Sequence, residues 1–501
     1  MMNAWALALG IVLPGAAAAA AGDLRIENVT IVSPERAGPV RNASVRIHDG
    51  RIVAISIAGH GADAIKRRND VEIDGSGLFL TPGLIDGHVH LGDIPGMTAE
   101  QEAKHPDIAR AVREQMPRSF LLYGFTALVD LISTPQAMQR WNTAKWVPDT
   151  HFCGAAVLMD GYPMNFAPKP QRYAAWDYML IEPGTTAPEG VDPARHTPEA
   201  VVARIKRDGA ICVKTAFERG FAADRNLPVP RLETIRGLVA AAHAAGLPVL
   251  MHANSDEAQR FGLDAGVDML VHGLWNSVDP HPRGTVLTPR IRAILDDEIS
   301  KNVGVQPTIQ VLYGLSDLLN PSFLSDPRLE RVLPPSLVDW YRTPEGQWFR
   351  AEILQQMQLP ANPTPDQLDR VRNDVIGEGV ARVKQATRYL ITHHGRVLFG
   401  TDTPSAPTYA NPPGLNAWFE MQHLREAGES PKQIFESATL LNARAFKLDG
   451  DIGTVEVGKR ANLLLLHQDP IQTIDAYADI AKVILDGRVL NPSELVAVAS
   501  H

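Results

Sequence analysis

The segment TPGLIDGHVHLGD, residues 81–93, places two histidines, His88 and His90, one residue apart at the end of an apolar run. Alternate residues of a β-strand point to the same side, so the two imidazoles would project together. Neutral imidazole is a common ligand of zinc and related divalent cations. Two histidines alone do not define a metal site, and other strand ends must supply the remaining ligands.

Four later segments have the same layout, an apolar run that ends in a side chain able to bind a metal ion or a proton. These residues are Lys214 after AICV, His252 after PVLM, His272 after DMLV and Asp402 after VLFGT. One polar strand end is commonplace, but several that meet at one face of a sheet indicate an active site. Four histidines and a carboxylate can bind two divalent ions, and the excess of imidazole favours zinc over magnesium.

Lys214 is the unusual member of this set. An ammonium group beside two dications is repelled, so its charged form is disfavoured. A neutral amine can react with carbon dioxide to give a carbamate, which would turn the cation into a bridging carboxylate. The alternative, a lysine that reaches solvent from a strand end, stays open on the residues alone.

The elements that must position these residues alternate along the middle of the chain, about residues 81–444. Helical stretches such as TPEAVVARIKRDG and RLETIRGLVAAAHAAG fall between apolar strand candidates. Repeated strand–helix units predict parallel strands, and about eight of them predict an α/β fold, the (β/α)8 TIM barrel. The clearest strand candidates are TALVDL (126–131), AICVKT (210–215), LPVLMHA (247–253), VDMLVHG (267–273), GVQPTI (304–309) and RVLFGTD (396–402).

The middle region is longer than the roughly 250 residues that are typical of this barrel. The surplus lies mainly at about 310–390, a stretch rich in helix formers and aromatic residues. This composition predicts an inserted helical layer that serves as a lid, with Trp340, Tyr341 and Trp348 packing against the barrel.

Short strands and tight turns mark both ends of the chain. In HDGR and LDGR an Asp-Gly pair stands between alternating apolar residues, which is typical of a β-hairpin with a type I′ turn. We therefore expect residues 23–80 and 445–501 to build one small composite β-sandwich domain beside the barrel of residues 81–444. Two separate terminal sheets are the alternative, although each would be small to stand alone.

The chain has 501 residues, 45% apolar and 21% charged, which is ordinary for a globular protein. Its net charge of −9 comes with no basic block, which argues against nucleic acid as a partner. Cys153 and Cys212 are the only cysteines, and both stand in apolar stretches. We expect two buried free thiols rather than a disulfide, and no cysteine-ligated zinc.

Residues 1–22 carry no charge and consist of an apolar core, a Pro-Gly break and an alanine run. This layout predicts a secretory signal peptide and a secreted or periplasmic protein. The positive first region of such signals is missing, so a cytoplasmic protein is the alternative. No other stretch is long and apolar enough to span a bilayer, and no stable membrane insertion is expected.

Six segments together resemble the amidohydrolase superfamily, and most closely its imidazolonepropionase-related branch with the metal-dependent Xaa-Pro dipeptidases. The segments are PGLIDGHVHL, GAICVK, LPVLMHAN, GVDMLVHG, VLFGTDT and ATLLNARAFKLDGDIGTVEVGKRANLLLL. The likeness covers about residues 23–490 and implies a (β/α)8 barrel with a composite β-sandwich.

The resemblance also implies a site for two divalent metal ions, expected to be Zn²⁺, with six protein ligands. The ligands would be His88, His90 and Asp402 for one ion, His252 and His272 for the other, and carboxylated Lys214 as the bridge. Imidazolonepropionase itself uses one metal ion and has no bridging lysine, so Lys214 points to a different activity.

Asp402, Lys214 and His272 are accordingly the expected catalytic residues. A hydroxide that bridges the metal ions would attack the substrate carbonyl, because zinc lowers the pKa of bound water to about 7. Asp402 would take the hydroxide proton and pass it to the leaving nitrogen. The expected activity is hydrolysis of an amide C–N bond of a small molecule, such as an N-acyl amino acid or a dipeptide.

Three residues are candidate substrate contacts. Tyr162 in MDGYPMN could donate a hydrogen bond to a substrate carbonyl, and Arg219 and Arg225 could clamp a substrate carboxylate. A packed loop tyrosine and exposed loop arginines are the alternatives.

Other activities stay open at this level. The same site could hydrolyse an ester, a lactone or a phosphotriester, whereas a deaminase of this fold typically uses one metal ion and no bridging lysine. A non-catalytic secreted metal-binding protein is the other class, but it would have no reason to keep all six ligands. The expected partner is a small-molecule substrate, and whether the chain forms a homo-oligomer is left open.

Overall fold

The structure is a computed structural model that describes residues 23–57, 71–169, 171–221, 226–277, 287–405 and 407–497. The expected signal peptide, residues 1–22, and the expected substrate contact Arg225 lie outside the described residues. Within those ranges, the helices are all too short or too polar to cross a bilayer.

The strands of the described chain fall into two sheets of eight. Their bounds are β1 Leu24–Ile31, β2 Val40–His48, β3 Arg51–Ile57, β4 Val71–Asp74, β5 Phe79–Pro82, β6 Leu84–Val89, β7 Phe125–Asp130, β8 Asp149–Ala155, β9 Cys212–Ala216, β10 Val249–His252, β11 Met269–Val271, β12 Gly304–Gln306, β13 Arg396–Val397, β14 Leu463–Leu466, β15 Ile480–Leu485 and β16 Arg488–Leu490.

The α-helices of the described ranges connect these strands and build the surplus segment. Their bounds are α1 Ala99–Lys104, α2 Pro106–Leu122, α3 Pro135–Trp141, α4 Gln171–Ala175, α5 Pro198–Arg207, α6 Leu232–Ala244, α7 Asp256–Ala265, α8 Pro289–Ser300, α9 Ile309–Asp317, α10 Leu329–Val332, α11 Pro335–Tyr341, α12 Trp348–Gln356, α13 Pro365–Arg370, α14 Gly377–Thr392, α15 Leu415–Ala427, α16 Pro431–Glu436 and α17 Asn442–Ala445. Short 3₁₀ and π turns, such as Met164–Phe166 and Val371–Ile376, join some of them.

The second sheet is the predicted barrel. Its strands β6 to β13 lie side by side in chain order, and each neighbouring pair is parallel. The chain beyond β13 closes the ring against β6, because Asp402 N donates to His88 O at 2.8 Å and His90 N donates to Thr403 O at 2.9 Å. The prediction of a (β/α)8 barrel is therefore confirmed.

The first sheet combines strands from both ends of the chain, in the order β16-β15-β14-β5-β1-β2-β3, with β4 parallel to β1. The ends meet where β14 pairs antiparallel with β5. Both predicted Asp-Gly turns have positive φ at each residue, 48° and 73° at Asp49 and Gly50, and 48° and 76° at Asp486 and Gly487. Those values suit type I′ turns, and two unrelated terminal sheets are excluded.

The expectation of two free thiols is wrong, because Cys153 and Cys212 form a disulfide. The two cysteines are register partners on the adjacent strands β8 and β9, with Cα atoms 4.5 Å apart. Both are fully buried in one apolar cluster with Leu250 of β10 and with Leu398, which follows β13. Strand register is a tertiary property, so the two apolar segments alone gave no sign that these residues face each other.

The surplus segment is helical from α9 to α14 and packs onto loops at the carboxyl end of the barrel. The Tyr341 hydroxyl donates to Pro95 O at 2.6 Å, and Trp348 Nε1 donates to Gly96 O at 2.9 Å. Both acceptors lie in the loop that follows β6. The Tyr341 ring also packs on Tyr409, with centroids 5.0 Å apart, in the loop after β13. The aromatic residues thus hold the helical layer against the two loops nearest to His90 and Asp402.

Candidate active site

The carboxyl ends of the barrel strands bring the expected metal ligands together. All but half-buried His90 are buried, so the barrel shields them from bulk water. The residues and their positions are His88 near the end of β6, His90 just after β6, Lys214 within β9, His252 at the end of β10, His272 just after β11 and Asp402 after β13.

His88, His90 and Asp402 form the tightest group. The Nε2 atoms of the two histidines lie 3.2 Å apart, and each lies 2.9 Å from Oδ1 of Asp402. These three atoms lie close enough together to bind one metal ion, and the donor set of two imidazoles and one carboxylate suits zinc. The residues therefore fit the ion that the sequence implied.

The protonation states of His88 and Asp402 also favour a cation. Burial lowers the pKa of His88 to about 3, so its imidazole is neutral and has a free lone pair at physiological pH. Burial opposes ionisation of Asp402, but the neighbouring His88 and the hydrogen bonds from both histidines hold its pKa well below the usual value. A neutral imidazole and an ionised carboxylate are the forms that bind metal.

His252 and His272 form a second pair beside the first group. Their ring centroids lie 4.6 Å apart, and the His272 ring lies 5.2 Å from that of His88. Burial lowers the pKa of both residues, and it keeps the His272 imidazole well below its ordinary value. Both imidazoles are therefore neutral near physiological pH, which is the form that can bind a metal ion.

Two further side chains fix which nitrogen of each imidazole remains available. His252 Nε2 lies 3.2 Å from Oε2 of Glu218, which also accepts from Asn254 Nδ2 at 2.7 Å. His272 Nδ1 lies 2.9 Å from Oγ1 of Thr308. The nitrogens left for a cation are Nδ1 of His252 and Nε2 of His272. Partners of this kind orient metal-binding histidines and set their tautomers.

Glu218 carries a charge suited to that task. Burial raises its pKa, but the hydrogen bonds from His252, Gly220 N and Asn254 hold the pKa below the usual value. Gly220 N donates to its other oxygen, Oε1, at 2.8 Å. The side chain is 7% exposed, so this buried carboxylate has defined partners at both oxygens.

Lys214 is buried under the two groups, at 4% exposure. Burial lowers its pKa to about 7, and the charge of Asp402 opposes this shift only in part. A sizeable fraction of the amine is therefore neutral at physiological pH. This is the form that the proposed reaction with carbon dioxide requires.

Two buried carboxyls support the backbone behind the ligands. Asp86 accepts from Thr401 Oγ1 at 2.6 Å and from the backbone N–H groups of His88 and Thr401, each at 3.1 Å. Asp130 accepts from Leu91 N at 3.1 Å and Ile132 N at 3.0 Å. Asp86 therefore ties β6 to the segment after β13, which sets the separation of His88 and Asp402.

The site also concentrates unusual backbone geometry. His272, Thr308 and Asp402 have φ of 79°, 46° and 60°, in the left-handed region that residues with a side chain rarely adopt. Each such conformation costs on the order of 1–3 kcal/mol and persists only where its surroundings impose it. Clustering of three at the strand ends is typical of a functional site.

The predicted substrate contacts are placed as follows. The Tyr162 ring packs on the His252 imidazole with centroids 4.5 Å apart, so this residue borders the site. Arg219 binds Glu257 through Nε and Nη2, at 3.2 and 2.9 Å, in an exposed ion pair. That pairing directs the guanidinium to a surface carboxylate of α7.

The model of the amidohydrolase family matches residues 79–268 and 357–490, more than half of the chain. The chain belongs to this family, as its motifs predicted. A dihydroorotase from Ligilactobacillus salivarius (strain UCC118) is 38% identical over 76 residues, 15% of this chain and 17% of that protein. The chain spans less than a fifth of the length of the curated relatives it matches.

Solved structures match over nearly the whole chain. A Xaa-Pro dipeptidase with bound methionine in the active site is 19% identical with a TM-score of 0.61, covering 94% of this chain and 100% of that one. Phenylurea hydrolase B is 20% identical with a TM-score of 0.63, covering 94% and 97%. At this identity the likeness shows the fold, which is that of the dipeptidase-like members of the family.

Proposed function

We propose that this chain hydrolyses an amide C–N bond of a small molecule, such as an N-acyl amino acid or a dipeptide, with two divalent metal ions, in the first place zinc. The observation that carries the proposal is the meeting of His88, His90 and Asp402 within 3.2 Å of one another, beside the His252–His272 pair. Membership of the amidohydrolase family supports it.

The assignment of ligands follows the two groups. His88, His90 and Asp402 would hold one ion and His252 with His272 the other, with carboxylated Lys214 between them. Divalent ions bound here would supply Lewis acidity, which polarises a carbonyl and lowers the pKa of water.

Asp402 is the residue to which we assign proton transfer. Its Oδ1 faces both imidazoles at 2.9 Å, which leaves Oδ2 to accept a proton from the attacking water. The same carboxyl would then release this proton to the leaving nitrogen, as a general base that becomes a general acid. Tyr162, packed on His252, would border the bound substrate and donate from its hydroxyl to the substrate carbonyl.

The location that we propose is an oxidising compartment, the periplasm or the outside of the cell. The disulfide between Cys153 and Cys212 supports it, because structural disulfides persist there and are rare in the cytosol.

Metal analysis combined with a hydrolysis screen tests the proposed function. The full chain, purified and loaded with zinc, should hold about two ions and hydrolyse members of an N-acyl amino acid and dipeptide panel. Asp402→Asn should lower kcat by about 10²–10⁴-fold. The matched control is Asp339→Asn, an exposed aspartate on α11 that pairs with Arg342.

Each outcome of this experiment decides a different point. A chain that binds no metal after zinc supplementation contradicts the hydrolase. Activity on lactones, other esters or phosphotriesters alone would show that the same site hydrolyses those bonds and not amides. Near-normal turnover of Asp402→Asn would contradict the role of Asp402 in proton transfer.

A further inference from the structure

Two phenylalanines stand apart from all the others in the chain. The sequence has fourteen, all within the described residues, and only Phe166 and Phe221 are exposed, at 67% and 41%. Exposed single apolar residues are normal on a protein surface. The position of these two is not random, because both rings contact the same tyrosine.

That tyrosine is Tyr162, which packs on the imidazole of His252. The Phe166 ring meets Tyr162 edge-on with centroids 5.8 Å apart, and the Phe221 ring does so at 5.5 Å. Because Tyr162 lies 4.5 Å from His252, each phenylalanine lies within about 10 Å of this metal-ligand candidate. That distance is the length of about three extended residues, which a small substrate bound at the site can span.

The three rings come from separate segments of the chain. Tyr162 and Phe166 lie in the loop after β8, and Phe221 lies in the loop after β9. Loops at the carboxyl ends of barrel strands carry specificity in this architecture. The edge-on contacts place the rings around one side of the site, where flat apolar groups are favoured partners.

The charge of Arg219 does not compete with that assignment. Arg219, two residues before Phe221, is engaged by Glu257 at 2.9 Å and stacks on Phe217 at 5.4 Å. The Arg219 guanidinium is therefore held in an ion pair at the surface.

We propose that Phe166 and Phe221 form a subsite for an aromatic ring carried next to the scissile amide, so that the substrates are N-aroyl or N-aryl amides. This inference rests on the proposed amide hydrolysis and names the substrate class of the same site. A ring bound here is covered by Phe166 and Phe221, which lose their exposure to water as it binds.

Matched substrate pairs test the subsite. N-benzoylalanine and N-acetylalanine differ only in the acyl group, and alanine anilide and alanine methylamide differ only on the amine. The zinc-loaded full chain should prefer the ring-bearing member of at least one pair by about tenfold or more in kcat/KM. In the double variant Phe166→Ala/Phe221→Ala this ratio should fall towards one.

Two controls accompany the double variant. Phe166→Leu/Phe221→Leu keeps apolar bulk and should keep part of the preference, and Val457→Ala changes an exposed apolar residue outside the site. Zinc content and melting temperature of every variant confirm that the fold and the metal site persist.

The outcomes separate this inference from the function on which it rests. A wild-type chain inactive on every amide overturns the proposed function and the subsite with it. A chain that hydrolyses amides without preference for a ring overturns the subsite alone. A preference that the alanine double variant retains also overturns it, because the intrinsic reactivity of the amide then accounts for the difference.

Discussion

Thr308 Oγ1 lies 2.9 Å from Nδ1 of His272, and Thr308 holds this position with φ of 46°, a conformation that β-branched residues rarely adopt. The helix that follows keeps it there. The backbone N–H groups of Ile309 and Gln310, the first residues of α9, donate to the buried carboxyl of Glu420 at 3.0 and 2.7 Å. The start of α9 is thereby fixed to α15, and Thr308 is fixed against the imidazole.

Thr308→Val tests this contact, because valine keeps the shape of threonine and lacks the hydroxyl. We expect about 10–100-fold weaker binding of one zinc ion or a similar loss of activity. The measurement is a zinc titration followed by activity at saturating zinc. Thr308→Ser, which keeps the hydroxyl, should retain most of the affinity, and equal behaviour of the valine and serine variants would contradict the role of the hydroxyl.

Glu218→Gln tests the partner of the other imidazole. The carboxylate accepts from His252 Nε2 and Asn254 Nδ2, and an amide of the same shape cannot accept as strongly from both. We expect zinc content to fall from about two ions to about one, since the ligands of the other ion, His88, His90 and Asp402, do not contact Glu218. The nearby surface carboxylate Glu257 provides the control Glu257→Gln. A loss of both ions would show that the two groups bind metal as one unit.

Carboxylation of Lys214 can be tested by spectroscopy. Since burial lowers its pKa to about 7, the neutral amine is available for carboxylation near neutral pH. The zinc-loaded chain exchanged with ¹³C-labelled bicarbonate should show a protected carbamate carbon resonance in ¹³C NMR. Lys214→Arg should lack this resonance, and identical difference spectra of the two proteins would argue against carboxylation.

The positions of the proposed ligands could be predicted from the sequence because each follows an apolar run within or near the end of a strand. His252 and Asp402 are polar residues that follow apolar runs where the chain reaches the site. This change from apolar to polar residues is visible in the local sequence. The closing of β6 against the segment after β13 then follows from the barrel itself.

Glu218 and Thr308 leave no such local sign. The sequence predicts GVQPTI as one strand, whereas β12 ends at Gln306 and Thr308 lies beyond it with a left-handed backbone. Glu218 stands beside Arg219, whose charge predicts a substrate clamp. Only the fold shows that the Glu218 carboxylate lies beside His252, while the Arg219 guanidinium pairs with Glu257. The disulfide was missed for the same reason, because it depends on register between strands.

The disulfide gives a chemical prediction. The chain, made in an oxidising compartment and unfolded without reductant, should show no free thiol, and two after reduction, since its two cysteines are Cys153 and Cys212. The bond joins residues 59 apart, and Cys153→Ala/Cys212→Ala should lower the free energy of unfolding by about 2–4 kcal/mol. Denaturant unfolding measures the change. Two free thiols in the unreduced chain would contradict the disulfide.

Glu298 on α8 predicts a stabilising substitution. It is 1% exposed, and neither carboxylate oxygen has a hydrogen-bond partner among the described residues. Burial raises the pKa of Glu298 from 4.5 to about 8. The folded chain therefore keeps a proton that the unfolded chain releases above pH 4.5, so stability is lost as the pH rises from about 4.5 to 8.

Glu298→Gln removes this titration while keeping the size of the side chain. Its melting temperature should match that of the wild type near pH 4.5, the lower end of that range. Its melting temperature should exceed that of the wild type at pH 8. At that pH we expect the free energy of unfolding to be higher by about 1–3 kcal/mol. The neighbour Asp297 is the control, because its hydrogen bond to Arg260 holds its pKa below the usual value. Asp297→Asn should therefore give no increase in melting temperature as the pH rises. If the increase for Glu298→Gln does not grow with pH, the pKa of Glu298 is not raised into this range.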